Sequence, residues 1–289
     1  MELKEVLVLY KKSAYKIYFL EKRRPFSVKN KTIIQKELKS FKKSHDEHYA
    51  TLKTVETVLS RYQIRFTKSY RSRNIDYTPY DLVITVGGDG TFLEAARNIK
   101  NGVLLGVNSS LSYSVGNFCV ANRNNFETML KQILRKNFKT SMFQRLRLEI
   151  DGCRKTINCL NDVLICHSNP AAMSRYILKI GSRKEEQRSS GIWIATPTGS
   201  SGAIQSAGGK ILPHTARKIQ YIPRELYGGG RWKYSLTGGV LSKRQSITVI
   251  SLMRQGKVYI DGTHLEHSFS LGATIKMGLS PNPIKTVNL

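Results

Sequence analysis

The sequence has few of the features that mark membrane or secreted proteins. No charge-free apolar run approaches the roughly 20 residues that a membrane-spanning helix needs, and no Arg-rich, acid-poor transit segment precedes the first predicted strand. The four cysteines form no C-x-x-C pair, and a chain of 289 residues does not depend on disulfides for its stability. These absences predict a cytoplasmic protein with reduced thiols and no membrane partner.

Acidic residues are also scarce. The chain has 20 Asp and Glu against 47 Lys and Arg, which gives a formal net charge of +27. Such an excess attracts anions, including nucleotides, nucleic acid and anionic lipid. The basic runs EKRRP, SYRSRN and GSRKEEQR largely lack the interleaved aromatic side chains that stack on bases. We therefore expect solvated faces that steer anions, and a nucleic acid partner is not favoured.

The first part of the chain alternates strand-like and helical patterns. The runs EVLVLY (5–10), DLVITV (81–86) and GVLLGV (102–107) are apolar throughout, as is typical of parallel strands buried on both faces. Residues 32–61 have apolar side chains at helical intervals, which predicts one or two amphipathic helices. The basic segment 11–31 has no clean period and is predicted to be a mobile loop. The alternation indicates an α/β layered domain, whose ligands bind beyond the carboxyl ends of the strands.

The rest of the chain favours β-structure. Short strand-like runs separated by turn residues replace the helical patterns: RLRLEI, TINCLNDVLICH, RYILKIG, GIWIAT and SITVI. Near the end, KVYIDGTHLEH is typical of a strand that enters an Asp-Gly turn. We predict a first domain at 1–125 and a β-rich second domain at 126–265.

Neither common phosphate-binding loop is present. The turn VGGDGT lacks both the Lys of a P-loop and the third glycine of the dinucleotide fingerprint. Gly87, Gly88 and Gly90 nevertheless let backbone amides approach phosphate oxygens closely. Thr91 and Glu94 have the T-x-x-E spacing of a capping box, which predicts that a helix begins here with its positive end at the same place.

Asp89 lies within this turn, where its negative charge would repel a phosphate. A carboxylate at this position therefore needs a function of its own. It can help to hold Mg²⁺ that is bound to the phosphates, or it can accept the proton of an attacking hydroxyl. The alternative is a structural Asp-Gly turn between a strand and a helix. This stretch alone leaves both interpretations open.

A second loop, SSGIWIATPTGSSGAIQSAGG (189–209), contains another predicted strand followed by small and hydroxyl residues. The hydroxyls offer donors and acceptors, and the small residues leave room for a flat ring or a sugar. The hydroxyl residues are Thr196, Thr198, Ser200, Ser201 and Ser206, and the small ones are Gly199, Gly202, Ala203 and Ala207. The composition is typical of a nucleoside pocket, and a flexible Ser/Gly-rich loop is the alternative.

Two histidine pairs, His45/His48 and His264/His267, have i, i+3 spacing. Neither pair has an obvious third ligand nearby, so we expect exposed or locally hydrogen-bonded histidines. No metal-ligating residues are assigned.

Five segments together resemble the NAD kinases, which phosphorylate the 2′-hydroxyl of the adenosine ribose of NAD to give NADP. In the family's order and approximate spacing, they are GGDGTFLEAAR, GVNSS, LNDVLI, SSGIWIATPTGSSGAIQSAGG and YIDG. The resemblance extends over about residues 80–265. GGDGT is shared with the diacylglycerol and sphingosine lipid kinases of the same superfamily, whereas TPTGS is typical of NAD kinases.

The resemblance implies roles for particular residues. Asp89 corresponds to the family's catalytic aspartate, the general base for the ribose hydroxyl. Asn161 and Asp162 correspond to an Asn-Glu pair that holds the nicotinamide-side ribose, and Asn108 flanks the NAD. The implied substrate- and phosphate-binding residues are Gly87, Gly88, Gly90, Thr91, Asn108, Asn161, Asp162, Thr196, Thr198, Ser201, Gly202 and Ser206.

The resemblance also implies a fold, a donor and an assembly. It implies an N-terminal α/β Rossmann-like domain, a C-terminal all-β, sandwich-like domain, an active site in the cleft between them, and a return of 266–289 to the first domain. ATP with Mg²⁺ is the expected donor, and inorganic polyphosphate serves some relatives. A homodimer or homotetramer is implied. The alternatives are a lipid kinase and a non-catalytic nucleotide-sensing or nucleic-acid-binding protein.

The chain departs from the family pattern at several positions. Asp162 stands where Glu is usual, Ser190 where Asp is common, and Ala203 where a Tyr usually faces the nicotinamide side. After Asn108, the insert NSSLSYSVGNF is longer than usual by several residues. The Ser-Ser-Gly and the longer insert are more similar to the mitochondrial-type branch of the family.

Overall fold

A computed structural model describes residues 3–21, 31–71, 73–229 and 233–288. The chain divides into two compact units. The first comprises Met1–Ser141 with Lys285–Leu289, and the second comprises Met142–Ile284.

The helices and strands are numbered along the chain. The strands are β1 Val6–Tyr10, β2 Phe66–Tyr70, β3 Leu82–Gly87, β4 Val103–Asn108, β5 Ala121–Asn122, β6 Lys139–Phe143, β7 Leu146–Ile150, β8 Ile157–Cys159, β9 Asp162–His167, β10 Ser174–Ile180, β11 Arg183–Ser189, β12 Ile192–Ala195, β13 Lys218–Pro223, β14 Gly239–Ser242, β15 Ile247–Ser251, β16 Gly256–Ile260, β17 Glu266–Phe269, β18 Thr274–Leu279 and β19 Ile284–Asn288. The helices are α1 Lys31–Arg61, α2 Asp89–Asn98, α3 Phe126–Leu134 and α4 Ala203–Ser206, with a π-helical turn at Lys16–Leu20 and a 3₁₀ turn at Thr198–Ser201.

The first unit is built on one seven-stranded sheet in the order β2-β1-β3-β4-β19-β6, with β5 beside β4. β1 pairs in parallel with β2 and β3, and β4 pairs in parallel with β3, β5 and β19. Every side chain of β3 and β4 is buried, as expected for parallel strands covered on both faces. Val55 and Leu59 of α1 and Phe126 of α3 join the same hydrophobic cluster as the strands. The predicted α/β domain is confirmed.

Part of the basic segment 11–31 is helical, which differs from the predicted mobile loop. A π-helical turn spans Lys16–Leu20, where a mobile loop was expected. Aromatic contacts explain it, because Phe19 stacks on Tyr15 and also contacts Phe41 of α1. Most of the remaining segment, including most of the EKRRP run, lies outside the described residues.

The second unit contains two antiparallel sheets of six strands. Their orders are β11-β10-β15-β18-β7-β8 and β14-β13-β12-β9-β16-β17. Burial alternates along strands such as β7, β10 and β16, so one side chain in two faces the interior. The buried side chains of both sheets, among them Leu148, Tyr176, Val163 and Ile194, form one hydrophobic cluster. This arrangement is a β-sandwich, as predicted.

Strand β11 was not predicted. Its sequence, RKEEQRS, is charged, and the GSRKEEQR run was expected to be a solvated face. The strand pairs along its whole length with β10, and only Gln187 and Ser189 are buried. Backbone pairing with a strongly apolar neighbour therefore decides the conformation of a segment whose own side chains carry no strand signal.

Two glycines of the second unit provide a matched test of close packing. Gly191 has φ +117, and a Cβ added there would lie 2.6 Å from the Ile165 carbonyl oxygen. Gly152 has φ +82 and no heavy atom within 4 Å of the corresponding position. We expect Gly191→Ala to lower the free energy of unfolding by roughly 1 to 3 kcal/mol more than Gly152→Ala, measured by urea unfolding. Equal losses would mean that positive φ alone, and not the contact with Ile165, requires the glycine.

Candidate functional site

The carboxyl edge of the first sheet carries four polar side chains. Lys11 follows β1, Arg71 follows β2, Asp89 comes two residues after the last residue of β3, and Asn108 is the last residue of β4. The four strands are neighbours and parallel, so their carboxyl ends lie along one edge. This is the edge at which open α/β sheets bind ligands.

Asp89 is half-buried in the first turn of α2. The backbone N–H of Phe118 donates a hydrogen bond of 3.0 Å to its Oδ1. The neighbouring Cys119 thiol has its pKa raised to about 12 by burial and by the negative charge of Asp89, while Lys11 opposes the rise. The carboxylate is therefore held in place by the chain at the positive end of a helix.

The structure corrects the predicted capping box. Gly88 is the N-cap of α2, and no side chain caps the helix. The Gly88 carbonyl accepts the Thr91 N–H at 3.0 Å, and the Thr91 hydroxyl is buried with no hydrogen-bond partner among the described residues. The helix begins three residues earlier than the T-x-x-E spacing predicted, because Gly88 and not Thr91 is its N-cap. Asp89 and Gly90 thus occupy the first two helical positions, where backbone amides have no intrahelical partner.

Each glycine of the turn allows a close approach by another part of the chain. A Cβ at Gly87 would overlap the Thr91 hydroxyl, and one at Gly88 would overlap the Ser114 hydroxyl. At Gly90 an added Cβ would lie 3.1 Å from Nη1 of Arg71. The turn therefore packs against the rest of its own unit as well as presenting backbone amides.

Asn108 holds the insert that follows it. Its Nδ2 donates to the Ser114 carbonyl at 2.9 Å, and its Oδ1 accepts the Ser110 N–H at 3.1 Å. Glu47 of α1 accepts hydrogen bonds of 2.8 Å from the hydroxyls of Ser110 and Ser112. Burial raises the pKa of Glu47, but these hydrogen bonds outweigh it and keep the pKa below its usual range. The Asn108 amide is thus engaged within the first unit, with only 4% of its surface exposed.

In the second unit, the turn before β9 is pressed against the turn after β12. The Thr196 hydroxyl donates to the Leu160 carbonyl at 2.5 Å, and the Thr196 N–H donates to the Asn161 carbonyl at 3.0 Å. A Cβ at Gly199 would overlap the Asn161 carbonyl oxygen. The structure therefore brings two segments together that are more than 30 residues apart in the sequence. One contains Asn161 and Asp162, and the other contains Thr196 and Gly199.

Asp162 is the strongly perturbed carboxyl of this cluster. It is 5% exposed, and Nδ2 of Asn161 donates to its Oδ2 at 3.2 Å. Burial, reinforced by the negative charge of Asp261, raises its pKa to about 7. Gly202 lies alongside, since a Cβ there would be 3.5 Å from Asp162 Oδ2.

Asp261 is a site residue that sequence reasoning did not assign. Its Oδ1 accepts the Asn161 N–H at 2.6 Å, and its Oδ2 accepts the Leu160 N–H at 3.2 Å. It lies in the YIDG segment, which was noted as part of the family pattern and as a strand entering an Asp-Gly turn, without a role for the carboxylate. Its φ of +51, followed by Gly262 at +96, marks the Asp-Gly turn that aims the carboxylate at Asn161. Lys11 and Arg71 were missed in the same way, because each was read as part of a basic run.

The hydroxyl residues of the second loop have different surroundings. Thr198 is buried with no hydrogen-bond partner among the described residues, whereas Ser201 and Ser206 are exposed. Ser200 is structural, since its hydroxyl donates to the Pro197 carbonyl at 2.6 Å and accepts the Leu212 N–H. A cavity of about 520 Å³ adjoins the loop and is lined by Trp193, Ala203, Ser206, Ala207, Arg224 and Glu225.

The histidines form no metal site in the described part of the chain, where no group of three or more His, Cys, Asp or Glu side chains is close enough to hold an ion. His45 and His267 are locally hydrogen-bonded, to Ser13 Oγ at 2.6 Å and to Cys153 Sγ at 3.6 Å. His48 was expected to be exposed or hydrogen-bonded; it is fully buried, and a hydrogen bond with the Lys11 backbone partly opposes the lowering of its pKa. Burial and the charge of Lys11 lower its pKa to about 4, so it is neutral at physiological pH.

Across the described ranges, no helix is long and apolar enough to cross a membrane. The four cysteines are all free thiols.

Comparison with known proteins identifies the family. The model of the ATP-NAD kinase N-terminal domain matches residues 11–138. A probable NADH kinase of Oryza sativa is 31% identical over 263 residues, covering 83% of this chain and 81% of that protein. The NADH kinase of Arabidopsis thaliana is 33% identical over 241 residues, covering 72% and 73%. The NAD kinase of Methanopyrus kandleri is 34% identical over 206 residues, covering 70% of each chain.

Solved structures show the same fold. An NAD kinase from Archaeoglobus fulgidus in complex with ATP has a TM-score of 0.68 at 22% identity, covering 98% of this chain and 93% of that chain. Yeast NADH kinase complexed with NADH has a TM-score of 0.73 at 15% identity, covering 99% and 84%. From the sequence identity and coverage of its relatives, the chain belongs to the NAD kinase family.

Proposed function

We propose that this protein transfers a phosphoryl group from ATP or polyphosphate to the 2′-hydroxyl of the adenosine ribose of NAD, giving NADP. The observation that carries the proposal is the Asp89 carboxylate, held at the positive end of α2 by the Phe118 amide. Family membership supports it, since relatives of this chain are an NADH kinase and an NAD kinase. These relatives also support NADH as a second acceptor.

Asp89 is the proposed general base. A ribose hydroxyl is a weak nucleophile, so a carboxylate that takes its proton as the new O–P bond forms assists the attack. The bond from the transferred phosphorus to the donor's bridging oxygen breaks in the same step, and the donor leaves with the bond's electron pair. The backbone amides of the first turn of α2, where Gly90 lies, offset negative charge on the phosphates.

Mg²⁺ is proposed to enter with the donor. When bound to the phosphate chain, it neutralises charge on the phosphate oxygens. The described residues contain no cluster of carboxylates that would hold the ion by themselves, and Asp89 is a single half-exposed carboxylate. This fits Mg²⁺, which protein sites commonly bind through one or two carboxylates together with substrate phosphates.

The second loop is proposed to bind the acceptor. Asn161 and Asp162 would contact a ribose, with Asp162 able to donate or accept a hydrogen bond because its pKa is near 7. The buried, unpartnered hydroxyl of Thr198 and the exposed hydroxyls of Ser201 and Ser206 would complete the contacts. The cavity of about 520 Å³ beside Ser206 is of the size that takes part of a dinucleotide.

A homo-oligomer is proposed from the outer face of the second unit. Trp193, Leu164 and Tyr259 form a cross-strand row on β12, β9 and β16 and are only half-buried. They line a cavity of about 440 Å³ together with Cys166. An apolar row of this kind that stays half-exposed among the described residues is unusual, and a second copy of the chain would cover it. The free cysteines support a proposed location in the cytoplasm.

The first prediction concerns the base. Asp89→Asn should lower kcat for NADP formation by roughly 100- to 10,000-fold, because the proton acceptor is lost. NAD affinity should stay within a few-fold, since the shape of the side chain is kept. Coupled assays with NAD, Mg²⁺ and either ATP or polyphosphate measure the rate, and calorimetry measures binding. Asp76→Asn, on an exposed loop of the same unit, is the matched control.

Wild-type turnover in Asp89→Asn would remove Asp89 from the mechanism. A wild-type protein that binds NAD but forms no NADP with either donor would support the sensor alternative. Phosphorylation of a lipid hydroxyl without NAD binding would support the lipid kinase.

The second prediction follows from the raised pKa of Asp162. Between about pH 4 and pH 7 the unfolded chain loses this proton while the folded protein keeps it, so the free energy of unfolding falls as pH rises through that window. Asp162→Asn removes this loss. The difference in Tm, variant minus wild type, should therefore grow from pH 5 to pH 8. Glu149→Gln, exposed on β7, should leave the pH dependence unchanged, and parallel curves for Asp162→Asn would disprove the buried, protonated state.

The third prediction tests assembly. The wild type should elute as a dimer or tetramer in size-exclusion chromatography with light scattering, and Trp193→Glu should shift it toward the monomer, because a charge would then face the apolar row. Leu271→Glu, at an exposed turn, is the control and should not change the mass. A monomeric wild type would contradict the assembly.

A further inference from the structure

Lys11 and Arg71 are fixed side by side at the carboxyl edge of the first sheet. Tyr10 pairs with Tyr70 in the parallel register of β1 and β2, so the next residue of each strand lies at the same level. The Arg71 backbone N–H also donates to the Tyr10 carbonyl at 2.8 Å. The backbone therefore brings two cationic side chains together, and neither position depends on a flexible loop.

Both cations are half-buried. Burial and the charge of Arg71 lower the pKa of Lys11. Burial likewise lowers the pKa of Arg71, with Glu94 opposing and Arg97 adding to the effect. The ion pairs of the described residues do not include Lys11. Two neighbouring cations withdrawn from water are unfavourable, and a bound anion offsets that free energy.

The Arg71 side chain faces the turn that contains Asp89, and Lys11 follows the neighbouring strand at the same level as Arg71. The Arg71 guanidinium lies against Gly90, with Nη1 at 3.1 Å from the position of an added Cβ. The Cys119 thiol feels both charges, since Asp89 raises its pKa and Lys11 lowers it. Asp89 and Gly90 lie in the first turn of α2, where backbone amides have no intrahelical partner. The site therefore combines amide donors, a fork-shaped guanidinium, an ammonium and one carboxylate.

We propose that Lys11 and Arg71 bind the phosphate chain of the phosphoryl donor, holding its terminal phosphorus beside Asp89. The guanidinium suits bidentate contact with phosphate oxygens, and the ammonium acts as a point charge. The shared ligand chemistry is a linear polyphosphate chain, from either a nucleoside triphosphate or inorganic polyphosphate. The assignment to the donor rests on the proposed function, because phosphoryl transfer must occur where the base lies.

This arrangement supplies the cations that the glycine turn lacks. In a P-loop a lysine inside the loop reaches the phosphates, whereas VGGDGT contains none. Here the positive charge comes from the residues that follow β1 and β2. These two strands lie on the side of β3 opposite to β4. Charge that develops on the transferred phosphoryl group would meet these fixed cations without rearrangement.

Binding of inorganic tripolyphosphate, measured by calorimetry without Mg²⁺ at fixed salt, tests the proposal directly. Arg71→Gln and Lys11→Gln should each weaken binding by roughly tenfold or more, because each removes charge-assisted hydrogen bonds. The affinity of Arg71→Lys should lie between those of the wild type and Arg71→Gln, since lysine keeps the charge but lacks the fork-shaped guanidinium. Arg65→Gln and Lys100→Gln remove one charge each at exposed positions of the same unit and should bind as the wild type does.

Steady-state kinetics provide the second readout. The KM for the donor should rise by a similar factor in Arg71→Gln while the KM for NAD changes little, and comparison of ATP with polyphosphate shows which chain the site uses. Variants whose Tm matches the wild type but whose tripolyphosphate affinity is unchanged would overturn the proposal. So would a wild type that does not bind tripolyphosphate.

The proposal and the proposed function fail separately. Tripolyphosphate binding that depends on Lys11 and Arg71, in a protein that makes no NADP, would leave the phosphate-chain site standing and remove the kinase. NADP formation with no effect of Arg71→Gln on the donor KM would support the kinase activity and contradict the phosphate-chain site.

Discussion

The parallel register of β1 to β4 is the constraint on which the first half of the site depends. Tyr10 pairs with Tyr70, and Gly87 pairs with Asn108, so the residues that follow these strands are aligned at one edge. β1, β3 and β4 are buried almost throughout, so a shift of their register would expose or crowd the core, whereas the partly exposed β2 is aligned by its pairing with β1. Apolar packing in the sheet thereby determines where Lys11, Arg71 and Asp89 lie, although none of the three belongs to the core.

The insert after β4 is held by hydrogen bonds and packs against the turn that contains Asp89. Asn108 and Glu47 hold its serines, Ser114 fits against Gly88, and the Phe118 amide contacts Asp89. The insert, which is longer than usual in the family, thus forms part of the surroundings of Asp89, the proposed base. The glycines of the turn are needed for this packing as much as for an approach to phosphate, so the two requirements act on the same residues.

The sequence predicted features that are local and missed those that arise from pairing across the fold. Strands β3 and β4 and helix α1 were predictable because their apolar patterns are continuous or periodic. The charged strand β11 was not, since its partner β10 decides its conformation. The near-neutral pKa of Asp162 depends on burial and on Asp261, which only the fold brings together. In the same way, Lys11 and Arg71 were interpreted as parts of basic segments, and only the sheet shows that they lie side by side at its carboxyl edge.

Two carboxylates, Asp89 and Asp162, are candidates for accepting a proton, and their surroundings separate them. A pKa near 7 would by itself favour Asp162 as a base. Its Oδ2, however, already accepts the Asn161 amide, and the side chain is closely covered. Asp89 is half-exposed and lies in the first turn of a helix, with the Arg71 guanidinium against the neighbouring Gly90, and these features attract a phosphate chain. Because the proton must leave the hydroxyl where the phosphoryl group arrives, location outweighs pKa, and we propose Asp89 rather than Asp162 as the base.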